Sequence, residues 1–116
     1  MDQQKLLNML NSKSSLNDVQ SYLKEVIRIR GFAKQEVEKS MLLLIEEVGE
    51  LAKEIRKKAV GMSIDDNHKH SESIEAEIAD VFIVLVSICN TLNINLFDSL
   101  LKKEQINAKR NWTINK

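Results

Sequence analysis

A chain of 116 residues is long enough for one domain with a modest core, and 43% hydrophobic with 29% charged residues excludes an intrinsically disordered chain. Its 17 basic and 17 acidic residues cancel, so no global field draws it to nucleic acid or to an anionic membrane. With 3 glycines and no proline, long helices are favoured over a sheet with many turns. The N-terminus, MDQQKLLNMLNSKSS, is too polar for a secretory signal. A short amphipathic piece near Lys5–Leu10 is either helical or frayed within residues 1–14. Ser15 followed by Asp18 forms a capping-box variant. It opens a first main helix with Leu16, Val19, Leu23, Val26 and Ile27 at helical spacing, which Gly31 ends as a C-cap.

The second main helix is expected from Lys34 to Ala59, with Val37, Met41, Leu44, Val48, Leu51 and Ile55 as its apolar stripe and Gly61 closing it. A polar loop, GMSIDDNHKHSES, follows. His68 and His70 there have the H-x-H spacing of a transition-metal pair, but the polar surroundings favour a solvated loop, as for Asp65 and Asp66. The third helix runs from about Ser73 to Leu92. Its middle, VFIVLVSIC, is apolar all round, which places it centrally and leaves surface for a second copy of the chain. Val81–Phe97 carries no charge, yet it falls short of the ~20 apolar residues of a spanning helix and is diluted by Asn90, Asn93 and Asn95. Asn95 with Asp98 caps a fourth helix, Leu96 to about Trp112. The lone Cys89 excludes an intrachain disulfide and reads as a small core residue in a reducing compartment. The expectation is a single cytoplasmic, all-α domain over residues 1–116, a bundle of four main helices that oligomerises through its central helices.

One segment conflicts with a simple core helix. LLLIEEVGEL, Leu42–Leu51, sets Glu46, Glu47 and Glu50 among apolar residues, and buried carboxylates are costly unless their charge is compensated. Glu47 and Glu50 are three apart, as are Glu77 and Asp80 on the third helix, and both pairs border apolar positions. Facing one another in a bundle, four carboxylates repel unless a hard divalent cation sits between them. Gly49 costs about 1 kcal/mol in a helix interior relative to Ala, which points to close approach by another helix or a ligand. Spacing alone leaves a solvated charged face and a metal site both open.

Glu46-Glu47-x-x-Glu50 followed by Glu77-x-x-Asp80 resembles the EExxE…ExxD signature of the MazG-like, all-α nucleoside triphosphate pyrophosphohydrolases. "EEVGELAKEI" and "EIADVFIVL" are similar to family segments, and Lys103, Asn107 and Arg110 in "KEQINAKRNW" resemble a family K-x-x-x-N-x-x-R pattern. The resemblance covers roughly Val19 to Trp112. It implies Mg²⁺-dependent hydrolysis of a (d)NTP between the α and β phosphates, giving a monophosphate and pyrophosphate, with Mn²⁺ as a substitute ion. It assigns Glu47, Glu50, Glu77 and Asp80 as metal ligands, and Glu46 to a second metal or to orienting water. It makes Lys103, Asn107 and Arg110 a phosphate clamp, although ordinary surface charge explains them on sequence alone. Lys53 is a weaker phosphate candidate. Phe32, before the second helix, is either a base-stacking or a core residue. A homodimer or homotetramer and a nucleotide-pool house-cleaning role are implied as well. Two alternatives stay open: a phosphoribosyl-ATP pyrophosphohydrolase, and a non-catalytic helical interaction or regulatory module.

Overall fold

The computed structural model describes residues 2–31, 36–59 and 73–114, and these are all-α. In chain order they form α1 (Gln3–Asn8), α2 (Leu16–Ile29), α3 (Val37–Lys58), α4 (Ile74–Thr91) and α5 (Leu96–Asn107). The N-terminal piece is thus helical, capped by Asp2, whose side chain accepts from the Lys5 N–H at 2.8 Å. The capping box that opens α2 is complete: the Asp18 N–H donates to Ser15 Oγ at 3.0 Å, and the Ser15 N–H donates to Asp18 Oδ2 at 2.9 Å. Gly31 follows α2 with φ +88°, the left-handed conformation that glycine adopts without a Cβ penalty.

Ser73 caps α4, and Asn95 caps α5, through their side chains. Between these helices the chain makes a Schellman turn. Asn93 takes φ +56°, its N–H donates to the Asn90 carbonyl at 3.3 Å, and the Ile94 N–H donates to the Cys89 carbonyl at 2.8 Å. That turn bends α5 away from α4 by 99°, so the uncharged Val81–Phe97 stretch is a helix, a corner and a second helix. Among the described residues no single helix is long and apolar enough to cross a membrane. Helix α5 stops at Asn107, five residues before Trp112. The Trp112 indole N–H folds back onto the Asn107 carbonyl at 3.0 Å, and the Arg110 guanidinium lies 5.7 Å from the ring centroid.

Helices α3 and α4 form the main packed pair, with α2 laid across α4, and α1 and α5 against α2. The core is Leu23, Val26 and Val86, flanked by Leu6, Val19, Tyr22, Ile83 and Leu96. A polar side chain pins the corner beside it. Gln20 is buried, donates to Asn90 Oδ1 at 3.0 Å and to the Ile94 carbonyl at 2.7 Å, and accepts from the Leu96 N–H at 3.0 Å. Cys89 is buried, as its character as a small core residue suggests.

The stripe expected to be buried on α3 is corrected. Ser40 and Glu54 are buried and Leu43, Leu44, Glu47 and Leu51 half-buried, while Met41, Val48 and Ile55 are exposed. The physical reason is that α3 is apolar on two faces and one chain covers only one. Leu42 is 68% and Ile45 63% exposed. Helix α4 is likewise covered on one side, with Ile78, Phe82 and Leu85 outward.

Candidate active site

Helices α3 and α4 run antiparallel, so Glu47 lies opposite Glu77 and Asp80 while Leu43 lies opposite Ile83. Carboxylate oxygens of Glu47, Glu77 and Asp80 all fall within 4.8 Å of one another. All three acids stand on helix backbones and none on a loop.

Glu77 is the innermost of the three. It is 5% exposed, and its Oε2 is buried without a hydrogen-bond partner. Its pKa is pushed above the usual carboxylate range, first by burial and then by the charges of Asp80, Glu47, Glu50 and Glu54. An orphaned, desolvated carboxylate oxygen facing two more carboxylates is a poor device for stability. The same donor set suits a hard cation, which takes oxygen ligands and offsets the charge. The residues present therefore fit a divalent ion, held by Glu47, Glu77 and Asp80.

The other expected site residues are placed less uniformly. Glu50 is exposed and stands outside the close trio, although its charge reaches Glu77. Glu46 is exposed and Lys53 half-buried. Lys103 and Arg110 are exposed and Asn107 is half-buried. Helix α5 begins beyond the far end of α4, about 16 Å along that helix from Asp80, and departs at 99° to pack on α2. Within one chain, this geometry carries the three residues of the expected clamp away from the acids. Phe32, His68, His70, Asp65, Asp66 and Gly61 lie outside the described residues.

Two polar residues of the α3 inner face lie outside the sequence motifs. Glu54 is buried and bound to Lys57 at 3.1 Å, and it adds to the field on Glu77. Ser40 is buried near the other end. Ser40, Glu47 and Glu54 recur every seven residues, two turns of helix. That period, interrupting an apolar sequence with polar residues, was the available signal.

An all-α domain with an acidic trio across two packed helices defines the class: a helical scaffold with a candidate cation site. Comparison with known proteins makes it specific. Residues 35–109 match the MazG nucleotide pyrophosphohydrolase domain, and the chain belongs to that family. YpjD of Bacillus subtilis, an uncharacterized protein, is 37% identical over 76 residues, covering 63% of this chain and 68% of YpjD. The crystal structure of YpjD, proposed to be a pyrophosphatase, superposes with a TM-score of 0.67 at 28% identity, covering 88% of this chain and all of the other. The chain is accordingly a pyrophosphohydrolase of the MazG type, a metal-dependent class.

Proposed function

We propose that this chain hydrolyses a nucleoside triphosphate between its α and β phosphates, with Mg²⁺ as its ion and Mn²⁺ able to replace it. The observation that supports this reading most is the trio Glu47, Glu77 and Asp80, with its orphaned buried oxygen. When bound, the ion supplies positive charge at phosphate oxygens and helps activate water. The chain's own residues hold and position. Glu47, Glu77 and Asp80 would hold the ion from the two helices, with Glu50, one turn along α3, as a further ligand. Glu46 would hold a second ion or orient the attacking water. Phosphoryl chemistry of this kind depends on positioning and charge, so no nucleophilic side chain is assigned.

The proposed active form is a homodimer or a dimer of dimers. The exposed Leu42, Ile45, Ile78 and Phe82 lie on the outer sides of α3 and α4 and form a face that a second copy can cover. Assembly is also the means by which Lys103, Asn107 and Arg110 reach phosphates bound at another copy's acids. Removal of surplus or modified nucleotides is the role proposed for the reaction.

The test is pyrophosphate release from a panel of canonical and modified dNTPs and NTPs, with Mg²⁺ and with EDTA. Metal-dependent release establishes the reaction. Silence across that panel with turnover of phosphoribosyl-ATP transfers the assignment to that substrate. Silence on both, with no metal-dependent rise in Tm, overturns the enzymatic reading in favour of a non-catalytic module.

A further inference from the structure

Arg110, just beyond the end of α5, is held differently from the other arginines. Arg28 pairs with Glu25, the Arg30 Nε–H donates to Gln3 Oε1 at 2.8 Å, and Arg56 is engaged as well. The Arg110 guanidinium makes no hydrogen bond or ion pair among the described residues. It lies instead 5.7 Å from the centroid of the Trp112 ring. A guanidinium held through its face keeps its in-plane N–H groups available, and these are the groups that fork onto phosphate oxygens. A carboxylate partner would have consumed them. Glu104, the acid nearest to Arg110 in sequence, accepts from Asn107 Nδ2 at 3.3 Å instead.

The ring is itself fixed. The Asn107 carbonyl accepts the Arg110 backbone N–H at 3.1 Å and the Trp112 indole N–H at 3.0 Å, which fills both of its lone pairs. One carbonyl at the end of α5 thus ties the backbone of Arg110 and the side chain of Trp112 to the same point. Trp112 is 70% exposed, so burial accounts for little of its role.

We infer that Trp112 is a positioning residue: its tethered indole holds the Arg110 guanidinium by the face and leaves the N–H edge free for substrate phosphates. This rests on the reading above, in which Arg110 of one copy reaches phosphates bound at another copy's acids. A long side chain that is already placed loses less rotamer freedom when it binds. The ring also leaves the positive charge unneutralised, which an acid would not.

The chain has one tryptophan, so intrinsic fluorescence reads this residue directly. Inorganic tripolyphosphate, which carries phosphates without base or sugar, is titrated with Mg²⁺ at constant ionic strength. The expected result is a saturable change in emission for the wild type and none for Arg110→Met. A flat wild-type titration, or the same curve in Arg110→Met, overturns the inference. The second arm is turnover on the dNTP and NTP panel. Trp112→Leu should raise KM about fivefold, with kcat altered far less and helicity retained. In an Arg110→Met background the same replacement should add nothing further. Losses that add overturn the positioning role and leave the pyrophosphohydrolase reading intact. Where no nucleotide is hydrolysed, that reading fails separately, and the calorimetric Kd of tripolyphosphate takes the place of KM in the same cycle. Coupled losses there support the inference, and additive ones overturn it.

Discussion

Replacing Gly49 by Ala separates what one chain needs from what its partner or ligand needs. Gly49 sits in the interior of α3, and a Cβ built there meets nothing within 4 Å. Nothing inside the chain therefore opposes a methyl group. Helix propensity alone favours Ala by about 1 kcal/mol. For a domain of this length, that corresponds to a gain of about 4 °C in Tm. Gly49 lies four residues after the exposed Ile45 and seven after the exposed Leu42, on the same side of the helix. Under the proposed assembly that side meets a second copy, and the new methyl enters the contact. Gly49→Ala should thus stabilise the dissociated chain and weaken the assembly, with turnover falling alongside. Thermal melts over a range of protein concentrations, with sedimentation and turnover at each, check both halves. A loss of stability where sedimentation shows monomer refutes the first half. A gain at every concentration with full activity refutes the idea that anything approaches Gly49 closely.

Further outcomes are expected elsewhere. Asp80→Asn, or Glu50→Gln, should abolish metal-dependent turnover while far-UV circular dichroism stays that of the wild type. Full activity in either would remove that residue from the ligand set. Glu77 binds its proton more tightly in the folded chain than in the unfolded one, so the metal-free protein should lose stability as pH rises from the ordinary carboxylate range through the raised pKa. Metal affinity should move the other way, strengthening as pH rises and Glu77 deprotonates; melts with and without Mg²⁺ across pH 4–8, about the range of interest, read both slopes. Gln20→Leu strands the Leu96 N–H and the Ile94 carbonyl, costing about 2–3 kcal/mol in a urea melt. A cost near zero would show that the corner is set by the Schellman turn alone. Ile45→Lys should shift the sedimentation profile toward monomer with little change in the helicity of the chain.

Local rules carried much of the fold. Ser15 with Asp18, Gly31, Ser73 and Asn95 mark helix boundaries in the sequence because caps and boxes depend on residues a few positions apart. The rotation of α3 was not legible in the same way. Its sequence supports two apolar faces, one through Met41, Val48 and Ile55 and another through Leu43, Leu44 and Leu51, and periodicity weighs both alike. Which face turns inward is decided by what α4 presents, a long-range fact. The acids follow the same division. Glu77-x-x-Asp80 and Glu47 were visible as candidates through spacing and resemblance, but their convergence depends on the antiparallel register of two helices far apart in sequence. The α5 residues show the limit most clearly. The 99° corner that turns Lys103 and Arg110 away is made by Asn93 in a left-handed conformation, where asparagine substitutes for the more usual glycine.

The inner face of α3 thus divides its length between two kinds of cost. Toward its C-terminal half, Glu47 and Glu54 are charges placed where water is scarce, one in the trio with Glu77 and Asp80, the other tied to Lys57. Toward its N-terminal half, Ser40 is a buried polar residue on the wall of a cavity. A helix selected only for packing against α4 would carry Leu or Ala at all three positions, since apolar replacements of buried polar groups are often neutral or stabilising. A divalent ion would offset the charges of Glu47 and Glu77, and Lys57 already pairs with Glu54, so this face is organised by the acidic site rather than by packing alone.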